Sequence, residues 1–112
     1  MPRDYRAFAE DIITAIRKIK EYTSEIKGTD ELDANPQIFD AVVRNFEVIG
    51  EAVKRIPPDV LDDYDEVDWK AIAGLRDILI HQYFGISSRI IWDIIQNELP
   101  VLEKRVSEML GE

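Results

Sequence analysis

Ile38-Phe39-Asp40-Ala41-Val42-Val43-Arg44-Asn45-Phe46-Glu47-Val48-Ile49-Gly50-Glu51-Ala52-Val53-Lys54-Arg55-Ile56 is the stretch on which the fold turns. Its apolar residues recur at three and four: Ile38, Val42, Phe46, Ile49, Val53, Ile56. That is the period of one helix face, not of a strand. Phe39, Ala41, Val48 and Ala52 carry apolar surface beyond that stripe. A helix apolar over more than half its circumference needs more than one neighbour, and in so small a domain one neighbour is open to being a second subunit. Pro36 at the first position and Pro57-Pro58 beyond the last punctuate this helix.

The same period extends outward in both directions. Tyr5, Phe8, Ile12, Ile16, Ile19, Thr23 and Ile26 form one face of an N-terminal helix, widened by Ile13, with Gly28 expected to stop it. Asp4 at its start and Lys18, Lys20 and Lys27 in its later turns suit the helix dipole. Residues 28–36 read as a polar connection and 57–68 as an acidic loop. Asp68 is a good N-cap for a helix from Trp69 to about Tyr83. Phe84-Gly85-Ile86-Ser87 reads as a break, after which Ser87 or Ser88 caps a helix carrying Ile90, Ile91, Ile94 and Ile95. Pro100 interrupts or restarts it, leaving Val101, Leu102, Val106, Met109 and Leu110 on a last short helix. Strand alternation and internal repeats are missing. The expected fold is all-α, an antiparallel up-and-down bundle of four or five helices in a single domain over residues 1–112.

Composition excludes several functions. The chain has no cysteine, so disulfides and thiolate metal sites are out. It has one histidine and no His-Glu-x-x-His pattern, so a zinc site is not expected. No apolar run reaches the roughly 18 residues of a membrane span, and no apolar region follows the N-terminus as in a signal peptide. A cytoplasmic protein that avoids membranes is the expectation. Ser24, Ser87, Ser88 and Ser107 lie in no Gly-x-Ser-x-Gly elbow, and the five glycines form no phosphate loop. The net charge of −9 argues against a generic nucleic-acid binder, and DNA is not an expected partner. Six of the acids, Asp59, Asp62, Asp63, Asp65, Glu66 and Asp68, fall in one segment. They make either a solvated loop or a docking strip for a basic partner, or keep nucleic acid off that edge.

One stretch could still do chemistry: Arg76-Asp77-Ile78-Leu79-Ile80-His81-Gln82-Tyr83. It combines a side chain that titrates near neutrality, an obligate cation and a phenol. These suit cleavage of RNA without a metal or cofactor, where the substrate's own 2′-hydroxyl attacks the phosphate. His81 would move the proton and Arg76 would stabilise the charged phosphorane. Asp77, four residues before His81, could fix the imidazole tautomer and raise its pKa. Tyr83 could stack on a base or donate to a phosphate. Positions 76 and 81 of a straight helix lie about 140° apart, awkward for one compact site. Either the helix unwinds near Gly85, or a second subunit completes the site.

The plainer alternative is a histidine that packs and hydrogen-bonds. Arg76 would then pair with Glu47 or Glu51, like charges four apart that repel unless a cation lies between them. Glu51 interrupts an apolar stretch, and a buried carboxylate there needs a partner. Arg44 is a second candidate cation, in that network or at the phosphate.

Arg76-x4-His81-x-Tyr83, followed by Phe84 and Gly85, resembles the R-x4-6-H signature of HEPN domains, and more closely the R-x4-H-x-Y form of HepT-like toxins. Val48-Ile49-Gly50-Glu51-Ala52 and the segment from Val67 through Asp68, Trp69, Ile72, Gly74 and Leu75 to Arg76 are similar to that family too. The resemblance spans about residues 5 to 103. It implies an all-α homodimer and a metal-independent endoribonuclease. Arg76 and His81 of both subunits would meet in an interface cleft, with Asp77 as the polar residue after the arginine. It also implies a partner, a minimal nucleotidyltransferase antitoxin of the MNT type. This partner would transfer AMP from ATP to Tyr83 and so block the cleft. A non-catalytic helical module that docks such a nucleotidyltransferase is the alternative.

Overall fold

The computed structural model describes residues 4–81 and 88–111, and for residues 76–81 the backbone alone. Seven α-helices are present among these residues: α1 (Tyr5–Tyr22), α2 (Thr29–Asp33), α3 (Pro36–Lys54), α4 (Pro58–Leu61), α5 (Trp69–His81), α6 (Ser88–Asp93) and α7 (Leu99–Met109). A 3₁₀ turn, Asp62–Tyr64, follows α4, and a π turn, Ile94–Glu98, joins α6 to α7. No strand occurs among the described residues.

The core is aliphatic, with Ile12, Ile16, Ile19, Leu32, Val42, Phe46, Ile49, Ile91, Leu102 and Val106 sealed from solvent. α3 packs against both α1 and α5, and α1 also packs against α7. The broad apolar surface of α3 therefore finds two neighbours within its own chain, and needs no second subunit to cover its main stripe. Val48 is the large apolar residue of α3 that stays exposed.

Side-chain ties give the helix directions. Arg6, near the start of α1, donates to the carbonyl of Leu110 just past α7, at 3.1 Å. Lys20, near the end of α1, pairs with Glu103 in the first turns of α7, also at 3.1 Å. These two helices therefore run antiparallel. Arg105 on α7 reaches Glu66 just before α5 at 2.9 Å, so α5 starts at the end of the bundle where α7 finishes. Its far end, at His81, lies toward the other end of the bundle.

Several boundaries differ from the sequence expectation. α1 ends at Tyr22, not near Gly28. The Thr23 hydroxyl donates to the Ile19 carbonyl at 2.8 Å beside the Thr23 amide, and the Ser24 hydroxyl and amide both donate to the Glu21 carbonyl, which another helical turn would otherwise bond. Gly28 has extended backbone, φ 179, which needs no glycine. The supposed polar connection contains α2, and the acidic loop contains α4 and the 3₁₀ turn.

Pro36 does open α3. Asp68 does cap α5, its carboxylate accepting from the Ala71 amide at 3.1 Å. Pro100 marks the expected interruption and restart: α6 gives way to a π turn and α7 begins at Leu99, with the proline in its first turn. The helical path runs on from Ser88 to Met109, and its one irregularity is the π turn just before the proline. Proline donates no amide and its ring crowds the carbonyl four residues earlier, so a locally widened turn accommodates it.

Candidate functional site

The expected catalytic residues fall on α5. Asp68 starts this helix, and Val67, Ile72 and Leu75 anchor its first half in the core. The Trp69 indole N–H donates to the Tyr64 carbonyl at 2.9 Å, so the turn ahead of the helix is tied to its first residue. Arg76, Asp77 and His81 all lie within the unbroken helical backbone Trp69–His81. Their side chains lie outside the described part, so the expected Asp77–His81 and Arg76–Glu47 or Arg76–Glu51 contacts do too. Tyr83, Phe84, Gly85 and the expected break also fall outside the described residues.

The helical backbone through His81 settles one geometric point. Positions 76 and 81 are separated by about 140° around the axis and roughly 7.5 Å along it. The helix is intact through His81, and the expected unwinding near Gly85 lies outside the described residues.

The supporting residues are placed differently from the expectation. Glu51 is not a buried carboxylate: its side chain is 43% exposed and lies 3.7 Å from Lys54, one turn on. Arg44 is mostly solvated and stands 4.0 Å from Glu47, the outer limit of an ion pair. α3 directs these charges away from its two packed sides. Each of these glutamates has a cation of its own helix within 4.0 Å, Arg44 for Glu47 and Lys54 for Glu51.

Two tertiary polar contacts were not visible in the sequence. The Ser88 hydroxyl, in a buried residue, donates to Asp33 Oδ1 at 2.9 Å, across 55 positions of sequence. Arg105 binds Glu108 through Nη1 at 2.9 and 3.0 Å, and its sealed Nε lies 2.9 Å from Glu66 without the alignment of a hydrogen bond. The Glu108 hydrogen bond, with the charges of Glu108 and Glu66, raises the guanidinium pKa above its ordinary value against the opposing effect of desolvation. Arg105 thus stays charged at any physiological pH and ties the acidic segment to α7. Local periodicity carries no signal for either contact.

An open cleft of about 300 Å³ lies between the end of α1 and the π turn, floored by Ile95, Leu99 and Pro100 and crossed by the Lys20–Glu103 pair. None of its lining residues belongs to α5, so it is separate from the expected catalytic cleft. Among the described residues no group of three acidic or histidine side chains could hold a metal ion, and the acidic segment forms no cage. Nor is any described helix long and apolar enough to cross a membrane.

The family model described as "Ribonuclease HepT-like" matches residues 12–109. A Methanocaldococcus jannaschii protein named "Putative RNase" is 44% identical over 113 residues, spanning all of this chain and 93% of that protein. A protein of the same name from Caldanaerobacter subterraneus subsp. tengcongensis is 43% identical over 105 residues, 94% of this chain and 93% of its own. A Thermococcus cleftensis protein named "Probable ribonuclease HepT" is 38% identical over 109 residues, 97% of this chain and 98% of its own. No solved structure matches the chain. An all-helical chain with such relatives along nearly its whole length falls in the class of small helical ribonucleases. Within that class it belongs to the HepT-like ribonuclease family.

Proposed function

We propose that this chain is the endoribonuclease toxin of a toxin–antitoxin pair, acting in the cytoplasm as a homodimer whose RNA cleft lies between the two copies. The observation that carries this reading is the intact Arg76-x4-His81-x-Tyr83 set on and just beyond α5, in a chain of the HepT-like ribonuclease family. The RNA's 2′-hydroxyl attacks the adjacent phosphorus as His81 takes its proton. Arg76 stabilises the phosphorane, and the 5′-oxygen leaves with a proton, giving a 2′,3′-cyclic phosphate and a 5′-hydroxyl. No metal is required, because the nucleophile comes from the substrate. Asp77 holds the imidazole in its tautomer and orientation. The angular gap between positions 76 and 81 on a helix still intact at His81 supports completion of the site by the second copy. Arg44 and Glu51 on α3 support the cleft from the neighbouring helix. In the neutralised state a minimal nucleotidyltransferase transfers AMP from ATP to the Tyr83 oxygen, releasing pyrophosphate, and the added nucleotide blocks RNA entry.

The purified protein is expected to cleave single-stranded RNA in the presence of a chelator and to leave cyclic phosphate ends. His81→Ala and Arg76→Ala should each lower the rate by about two orders of magnitude or more. Equal rates for wild type and His81→Ala would end the catalytic reading.

A second reading has its own observation. The acidic segment is held in ordered turns by Val67, by Trp69 on Tyr64 and by Arg105 on Glu66, so it presents a fixed negative surface. That surface favours a non-catalytic module that docks the nucleotidyltransferase. On this reading the complex forms and is salt-sensitive, and RNA stays intact.

A further inference from the structure

We propose that the cleft between the end of α1 and the π turn binds a free α-amino acid with an aliphatic side chain. None of the cleft's lining residues is on α5, and the site is independent of the ribonuclease reading. Its origin is Pro100. A proline has no amide to donate, and the Leu99 amide is given to the Ile94 carbonyl, five residues back. The Ile95 carbonyl therefore has a donor neither four nor five residues further on. Ile95 is a buried residue, and an unmatched carbonyl there is costly unless a donor comes from outside the helix. Helix carbonyls point along the axis toward the C-terminal end, here toward Leu99 and Pro100, which with Ile95 floor the cleft.

The opposite wall comes from α1 and the residue after it. Thr23 is buried, and its hydroxyl hydrogen is committed to the Ile19 carbonyl at 2.8 Å, so its oxygen is left as an acceptor. Lys20 and Glu103 meet across the cleft at 3.1 Å, with side chains 59% and 27% exposed. Glu103 is thus the better fixed of the two and Lys20 the mobile arm. An ion pair this exposed contributes little and opens easily to a ligand. A lone cation entering the cleft would meet Lys20, and a lone anion would meet Glu103. A zwitterion replaces the pair charge for charge, and an α-amino acid carries its two charges close together. Its ammonium has three hydrogens for three acceptors: the Glu103 carboxylate, the Thr23 oxygen and the Ile95 carbonyl. Its carboxylate faces Lys20 and the Gln96 side-chain amide. Its aliphatic chain lies on Leu99 and Pro100. The cleft volume, about 300 Å³, is at the lower limit for small-molecule sites and suits so small a ligand.

The test titrates the full chain with L-leucine as the probe, following heat by calorimetry and amide chemical shifts by NMR. Leucine should bind with a Kd below about 1 mM and shift the amides of residues 20–23 and 95–103. Three analogues dissect the site on the unaltered chain. 3-Methylbutylamine lacks the carboxylate, 4-methylpentanoate lacks the ammonium, and glycine lacks the aliphatic chain. Each should bind at least about tenfold more weakly than leucine. Two variants test the acceptors. Pro100→Ala supplies the missing amide, so it should weaken leucine binding by about tenfold while melting no lower than wild type. Glu103→Gln keeps the shape of the side chain without its charge and should weaken binding at least as much. An absence of heat and of shifts at about 10 mM leucine would overturn the proposal, leaving the Ile95 carbonyl to water. So would shifts confined to other residues, or either single-charge analogue binding as tightly as leucine. Wild-type affinity in Pro100→Ala or in Glu103→Gln would overturn it too. If a variant fails to fold, the analogue series on the unaltered chain decides alone.

Discussion

Asp68 shows what a single residue contributes before any chemistry begins. Its carboxylate accepts from the Ala71 amide and so starts the helix that carries Arg76 and His81. Asp68→Ala should lower stability by about 1 kcal/mol, read in a denaturant melt, since an N-cap acceptor is lost and nothing replaces it. Asp68→Ser or Asp68→Asn should restore most of it, and an unchanged midpoint for Asp68→Ala would mean the cap contributes nothing. This residue was legible in the sequence because a cap acts within three positions of itself. Asp33 and Ser88 were not, because their contact spans 55 positions and each alone is an ordinary polar residue. Glu51 was misjudged for a related reason. Its chain neighbours Gly50, Ala52 and Val53 are buried, but a helix turns about 100° at each step, and its own side chain emerges 43% exposed.

At the scale of elements, proline boundaries and apolar periodicity were read directly. Pro36 and Pro57 bracket α3, and the stripe Val42, Phe46, Ile49 and Val53 is the buried one. The end of α1 was not, because it closes in local turn bonds at Glu21 and Thr23 rather than at a glycine. The π turn was unreadable in detail, since proline announces a disturbance without saying which one. α5 carries a weakness that the sequence shows and the structure explains. Gly74 lies in its interior, two residues before Arg76, and a Cβ added there would meet nothing within 4 Å. Glycine inside a helix costs about 0.5–1 kcal/mol relative to alanine. Gly74→Ala should therefore stabilise the chain by about that much in equilibrium unfolding. A loss of stability instead, accompanied by dissociation of the proposed dimer, would place the approach of a second copy at that position.

Across the whole molecule the question is how a chain of net charge −9 comes to act on RNA. The acids Asp59, Asp62, Asp63, Asp65 and Glu66 precede the first residue of α5, while His81 is the last described residue of that helix. Twelve steps of helix separate Trp69 from His81, roughly 18 Å at 1.5 Å per residue. That is about two Debye lengths at physiological salt, so most of the repulsion from the acidic segment is screened at the far end. Arg105 and Trp69 keep the segment from reaching further, through Glu66 and the Tyr64 carbonyl. The overall charge is thus a poor guide to the field where RNA would bind. Replacing Asp59, Asp62, Asp63 and Asp65 together by Asn should leave kcat/KM for RNA within about a factor of two at 0.15 M salt. The same change should weaken the complex with the nucleotidyltransferase if that basic-partner docking occurs here, and should flatten its salt dependence. Measuring both in one series separates the roles. A large rise in RNA cleavage on neutralisation, strongest at low salt, would show that the segment reaches the substrate and that its distance along α5 does not insulate the site.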